Sequence, residues 1–120
     1  MITNFKIYIS ENKIFESYKR KNPKPGDYVL CEDNTFLRPE EKEFIDNNIG
    51  RMISKEKYAT NPYCIQYENI PDAYIRRGTF TYSKSDDTDD CRWFKRYEIL
   101  YFSPNKEDIE YILKMRDYNL

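Results

Sequence analysis

Three stretches of this chain predict strands with one buried face, two by a two-residue alternation of apolar and polar positions and one by a run of aromatic and β-branched residues. The first is Phe5-Lys6-Ile7-Tyr8-Ile9, within an edge strand expected over residues 2–10. The second is Tyr28-Val29-Leu30, entered through the turn-forming pair Pro25-Gly26. The third, with the cleanest period, sets Tyr63, Ile65 and Tyr67 against Cys64, Gln66 and Glu68. Ile49 to Ser54 reads as a further strand, and Gly50 within it as a bulge or a point of close backbone approach. Gly78 to Tyr82 reads as a short outward strand, and Cys91 to Phe102 as one long strand or a strand pair.

Helical signals interrupt this β pattern twice. Pro39-Glu40-Glu41 opens a short helix over residues 39–48, with Pro at the first position, glutamates where the helix dipole favours anions, and asparagine at the exit. Ser103-Pro104 predicts a helix from about Pro104 to Met115, whose stripe of Ile109, Ile112 and Leu113, extended to Arg116, must lie on the sheet. On that pattern Ile112→Asp costs more than any change on the helix surface, because it buries an unpaired charge. Residues 11–18 suit either a turn with a short helix or a second hairpin arm, and Asn69 to Arg77 suits one helical turn. Ser83 to Asp90 has no apolar anchor and reads as a mobile hairpin tip.

With 120 residues the chain is long enough for one core and one domain, divided into an N-terminal strand and connector (1–24), a β region (25–102) and a C-terminal helix (103–120). Charged residues make up 34%, yet aromatics reach 17%, which argues for a packed core rather than disorder. Tyr and Phe carry the apolar burden. The absence of histidine among many Tyr, Lys, Ile and Asn fits an AT-rich coding sequence, and it removes imidazole as general base and metal ligand. There is no phosphate-binding glycine loop and no CxxC, so the chain reads as a non-enzyme without cofactor or metal. Cys31, Cys64 and Cys91 are odd in number and widely spaced, which fits buried or incidental thiols in a reducing compartment. No stretch approaches the ~20 apolar residues of a membrane helix, and the first residues lack a leader pattern, so a cytoplasmic protein is expected.

The order Gly26-Asp27-x-Val29, Ile49-Gly50-x-Met52-Ile53, Tyr63-x-Ile65-x-Tyr67 and Ile99-x-Tyr101 resembles the SH3-like barrel of KOW and Tudor-type modules. That resemblance implies an α+β, mainly β fold: an antiparallel barrel of about five strands, a short helix in the first long loop and a C-terminal helix packed on the barrel. The runs Tyr67-Glu68-Asn69-Ile70-Pro71 and Tyr101-Phe102-Ser103-x-Asn105-Lys106-Glu107-Asp108 are similar in style to small proteins of large, AT-rich bacteriophages. This likeness implies a phage-type accessory protein acting in a host cytoplasm.

Two surface features are left as candidate sites. The acidic run with Asp86, Asp87, Asp89 and Asp90 lacks the glycine and terminal glutamate of a calcium loop, and is expected to dock on a basic protein partner. The alternative is nucleic-acid binding, in which Arg76, Arg77, Arg92, Trp93, Lys95 and Arg96 form a basic aromatic surface that stacks bases and contacts phosphates. A plainer account of the second run is that Trp93 and Tyr97, or else Phe94, point inward while the basic residues face water. The basic connector Lys19 to Pro25 is read as a solvated linker, with phosphate contact as its alternative. The formal net charge of −1 offers no global field toward DNA or anionic lipid.

Overall fold

Residues 20–33, 37–83 and 86–118 are described by a computed structural model, so the expectations for residues 2–10 and 11–18 lie outside the described residues. The order of elements is β1 (Tyr28–Cys31), α1 (Pro39–Asn47), β2 (Gly50–Lys55), β3 (Tyr63–Gln66), α2 (Asp72–Arg76), β4 (Thr81–Ser83), β5 (Asp86–Phe94), a 3-10 turn (Arg96–Glu98), β6 (Ile99–Ser103) and α3 (Lys106–Tyr118). Cys91 to Phe102 is therefore a strand pair broken by the 3-10 turn. The acidic run, expected as a mobile tip, forms the first half of β5 from Asp86 onward, and Ser83 pairs with Asp86. Pairing with β4 supplies the backbone partners that composition alone did not suggest.

All pairings are antiparallel, in the order β4-β5-β3-β2-β1-β6. The fold is thus α+β, a single sheet with helices, and among the described residues β4 and β6 form its two edges. Register shifts at Leu30/Cys31, Met52/Ser54 and Thr81/Ser83 bend the strands and add twist.

β1 lies between β2 and β6, and three of its four residues are buried. Its entry is a turn in which the Asp27 N–H donates to Lys24 O at 3.0 Å and Gly26 has φ 99°. Proline followed by a residue of positive φ is the type II turn, which explains Pro25-Gly26. The Asp27 carboxylate accepts the Lys24 N–H at 3.0 Å and both guanidinium branches of Arg20 at 2.8 and 3.2 Å, tying the connector to the turn.

Alternation sends Val29 and Cys31 to one face, where they join a core of Ile45, Met52, Tyr63, Ile65, Tyr67, Phe80, Phe94, Ile99 and Phe102. Tyr67, Phe80 and Phe44 meet edge-on or tilted at 5.8–6.0 Å between ring centres. Leu30 points to the opposite face, which α3 covers with Ile109. Ile109 is fully buried while Ile112 and Leu113 are only half-buried, so the stripe is centred one turn earlier than the sequence predicts. The helix also starts later, at Lys106, with Ser103 Oγ accepting the Asn105 N–H at 3.1 Å from the end of β6. Gly50 is a point of close approach: a Cβ there would run into Ile65 Cγ2 and come within 3.0 Å of Tyr67 Cζ.

Candidate functional site

On the core face of the sheet the apolar cluster gives way to a chain of polar groups drawn from four parts of the sequence. Asp33 follows β1, Glu41 lies in the first turn of α1, Arg77 and Thr79 connect α2 to β4, and Arg92 belongs to β5. Arg92 Nε donates to Asp33 Oδ2 at 2.6 Å and its Nη1 to Thr79 O at 2.8 Å. Thr79 Oγ1 donates to Glu41 Oε2 at 2.7 Å, and Arg77 Nε donates to the same oxygen at 3.0 Å. The other oxygen of Glu41 accepts the Arg38 N–H at 3.3 Å, where the chain enters α1.

Asp33, Glu41 and Thr79 are buried and Arg92 is nearly so, which keeps water from weakening these bonds. Burial raises the Glu41 carboxyl, but hydrogen bonds from Thr79, Arg77 and Arg38 and the charge of Arg77 outweigh it, leaving the group below the ordinary carboxylate range. Glu98, also buried, accepts the Lys95 N–H at 2.8 Å and closes the 3-10 turn. Beside the network lies a partly open cleft of about 190 Å³, lined by Asn61, Gly78, Thr79, Thr81, Arg92, Trp93 and Glu98. Chemically, the network ties the long β3–β4 connection to the sheet and to α1.

The basic set proposed from the sequence is divided by this arrangement. Arg77 and Arg92 are brought together by Glu41 and Thr79, Arg92 largely enclosed and Arg77 reaching the buried Glu41 carboxylate from the surface. Arg92 therefore does not face water, as the alternation argument expects. Arg96 lies elsewhere, donating to Lys21 O at 2.7 Å, Asn22 Oδ1 at 3.0 Å and Ile99 O at 3.1 Å, with its guanidinium 5.3 Å from the Phe102 ring centre. Arg20 approaches the same ring at 5.4 Å. Lys95 Nζ is 5.9 Å from the ring centre of Tyr97, and Arg76 is exposed at the end of α2. Of the three aromatic candidates for the interior, Phe94 is buried, Trp93 is half-buried and Tyr97 is 63% exposed.

Asp90, the described member of the acidic set, accepts Gln66 Nε2 at 2.9 Å and Cys91 Sγ at 3.3 Å. The side chains of Asp86, Asp87 and Asp89 lie outside the described residues. Tyr58 and Tyr97 are strongly exposed on two loops that lead into β3 and out of β5. The pair Tyr63 and Phe94 puts those loops at one end of the sheet.

Sequence reasoning missed Asp33, Glu41, Thr79 and Glu98 as a group. The bonds of Glu41 with Arg77 and Thr79 span 36 and 38 positions, and Asp33 with Arg92 spans 59, so no local motif announces them. Asp33 and Thr79 lie in connections and Glu41 in a helix first turn where glutamate is expected for the dipole, so their local sequence does not mark them. No family model, curated protein or solved structure matches the chain.

Proposed function

We propose that this chain is a non-enzymatic protein-binding module, a phage-type accessory protein that engages a host or viral protein through its surface loops and the acidic segment Asp86 to Asp90. The observation that carries this reading is the distribution of charge. Of the five cations in the alternative nucleic-acid set, Arg77, Arg92 and Arg96 have guanidiniums bonded to acceptors of the chain itself. The acidic segment runs along β5 beside an edge strand of only three residues, with Asp90 at its inner end held by Gln66 and Cys91. The four aspartates in its sequence suit a basic partner, and the exposed Tyr58 and Tyr97 offer apolar anchors on loops.

Support for an SH3-like barrel comes from connectivity. The opening strand β1 pairs with the last strand β6, while β2, β3 and β5 follow in order from its other side. Bulges in the β1–β6 and β2–β3 ladders supply the curvature that a small barrel needs.

The test compares the wild-type chain with a variant carrying Asp86→Asn, Asp87→Asn, Asp89→Asn and Asp90→Asn, both immobilised and exposed to lysate of the host cell. One stoichiometric protein should be retained by the wild type and lost by the variant, in a salt-dependent manner. Equal capture by both proteins overturns the acidic docking element. Salt-sensitive retention on an oligonucleotide column that disappears with Arg76→Ala and Lys95→Ala overturns the protein-binding reading in favour of nucleic acid.

A further inference from the structure

Cys64 in β3 and Cys91 in β5 take no part in the polar network, and both are fully buried free thiols. Their placement follows from the ladder. The Tyr67 N–H donates to Asp90 O at 2.9 Å. Hydrogen-bonded and non-hydrogen-bonded pairs alternate along an antiparallel ladder, so the next pair, Gln66 with Cys91, and the one two further on, Cys64 with Trp93, are both of the non-hydrogen-bonded type. Side chains stand closest at such pairs, and all four residues share one face of the sheet. Cys64 and Cys91 are diagonal neighbours on that face, and each sulfur acts on the titration of the other.

The surroundings make the two sulfurs unequal. The neighbouring Cys91 sulfur, helped by Ser54, lowers Cys64 below the ordinary thiol range against the opposing effect of burial. Cys91 is raised by the Cys64 sulfur, by burial and by the neighbouring Asp90 carboxylate. Cys31 lies on the other face, against Tyr67, where burial pushes its thiol up.

We propose that Cys64 and Cys91 are a redox pair that is oxidised by a low-molecular-weight disulfide to a cross-strand bond between β3 and β5, with Cys64 as the attacking sulfur and Cys91 as the resolving one. The Cys64 thiolate attacks one sulfur of the small disulfide, forming a mixed disulfide and expelling one thiolate. Cys91, giving up its proton, then attacks Cys64 Sγ, and the second small thiolate leaves. Two electrons pass from the protein dithiol to the reagent's S–S bond, and the two protein thiol protons end on the two released thiols.

Diagonal neighbours have Cα atoms about 7–8 Å apart, and a disulfide needs them under about 7 Å, so closure shifts this end of β5 slightly along β3. β5 can follow because its other neighbour is the three-residue edge strand β4, joined to it through a register shift. Local opening of that edge also admits the reagent to the buried sulfurs. The bond would hold the strand that carries Asp90 more tightly, although the pair's chemistry does not depend on what Asp90 binds.

The experiment incubates the folded full-length chain with glutathione disulfide, quenches with an alkylating agent and maps the peptides. The expected result is loss of two hydrogens from the intact mass and a peptide linked through Cys64 and Cys91, with Cys31 alkylated only after unfolding. Cys91→Ser should stop at a glutathione adduct on Cys64, and Cys64→Ser should lose the cross-link. Absence of the linked peptide while the chain stays folded by circular dichroism overturns the proposal. So does a distribution in which Cys31 is linked as often as its two companions, because the native ladder would then confer no selectivity.

Discussion

At Glu41, burial and hydrogen bonding act on the carboxyl in opposite directions, and hydrogen bonding prevails. The folded group therefore titrates below its ordinary value of 4.5, so the unfolded chain takes up the proton more readily. Stability from Glu41 is fully present above that value and is lost as pH falls through the lower, folded one. Replacing it by Gln leaves Arg77 facing a neutral amide, and a loss of about 2 kcal/mol at neutral pH follows from removing one partner of a buried charged bond. Urea midpoints measured between about pH 7 and about pH 3 should fall less steeply for Glu41→Gln than for the wild type. Parallel curves for the two proteins would contradict the assignment.

Helix α3 carries its weight on one residue. Ile109 is fully buried against the face of β1 and β6, while Ile112 and Leu113 are half-buried farther along. Ile109→Ala should cost about 2–4 kcal/mol, since truncating a buried Ile removes its transfer energy and leaves a cavity. Ile112→Ala should cost less than half of that, and thermal unfolding of the two variants decides the order. The helical period was legible from Ile109, Ile112 and Leu113, but a period identifies a stripe and not its deepest point. That point depends on where β6 ends and how Ser103 launches the helix: its hydroxyl donates to Asp108 Oδ2 at 2.5 Å, setting the first turn against the sheet. α1 was legible almost residue for residue, because Pro39, the glutamates and the terminal asparagines act through local bonds, such as Asn48 Nδ2 to Phe44 O at 2.7 Å.

Across the whole molecule, protection should follow position in the sheet. β1 has a strand on each side, α1 on one face and α3 on the other, whereas β4 is a three-residue edge. Amide hydrogen exchange should accordingly be slowest in Val29 to Cys31 and earliest in Thr81 to Ser83. Equal protection of the two strands would mean that β4 opens only with the global core. The same gradient underlies the proposed chemistry of Cys64 and Cys91, which needs the β4 margin to open while β1 stays closed.

By itself the sequence determined what depends on neighbours a few positions away: the turn at Pro25-Gly26, the strand-forming run at Tyr28, the strand period at Tyr63, the caps of α1 and the apolar stripe of α3. At Gly50 the sequence left a bulge or a close approach open, and the packing of Ile65 and Tyr67 against it decided for close approach. Only tertiary structure decided that Asp86 to Asp90 is strand rather than loop, that Arg92 turns inward to Asp33, and that Cys64 meets Cys91. Each of those outcomes rests on a partner at least 20 positions away, as with Arg92 and Asp33, 59 apart, or on a strand that extends a ladder already formed. Periodicity states which face a residue occupies; the register of the assembled sheet states what it meets there.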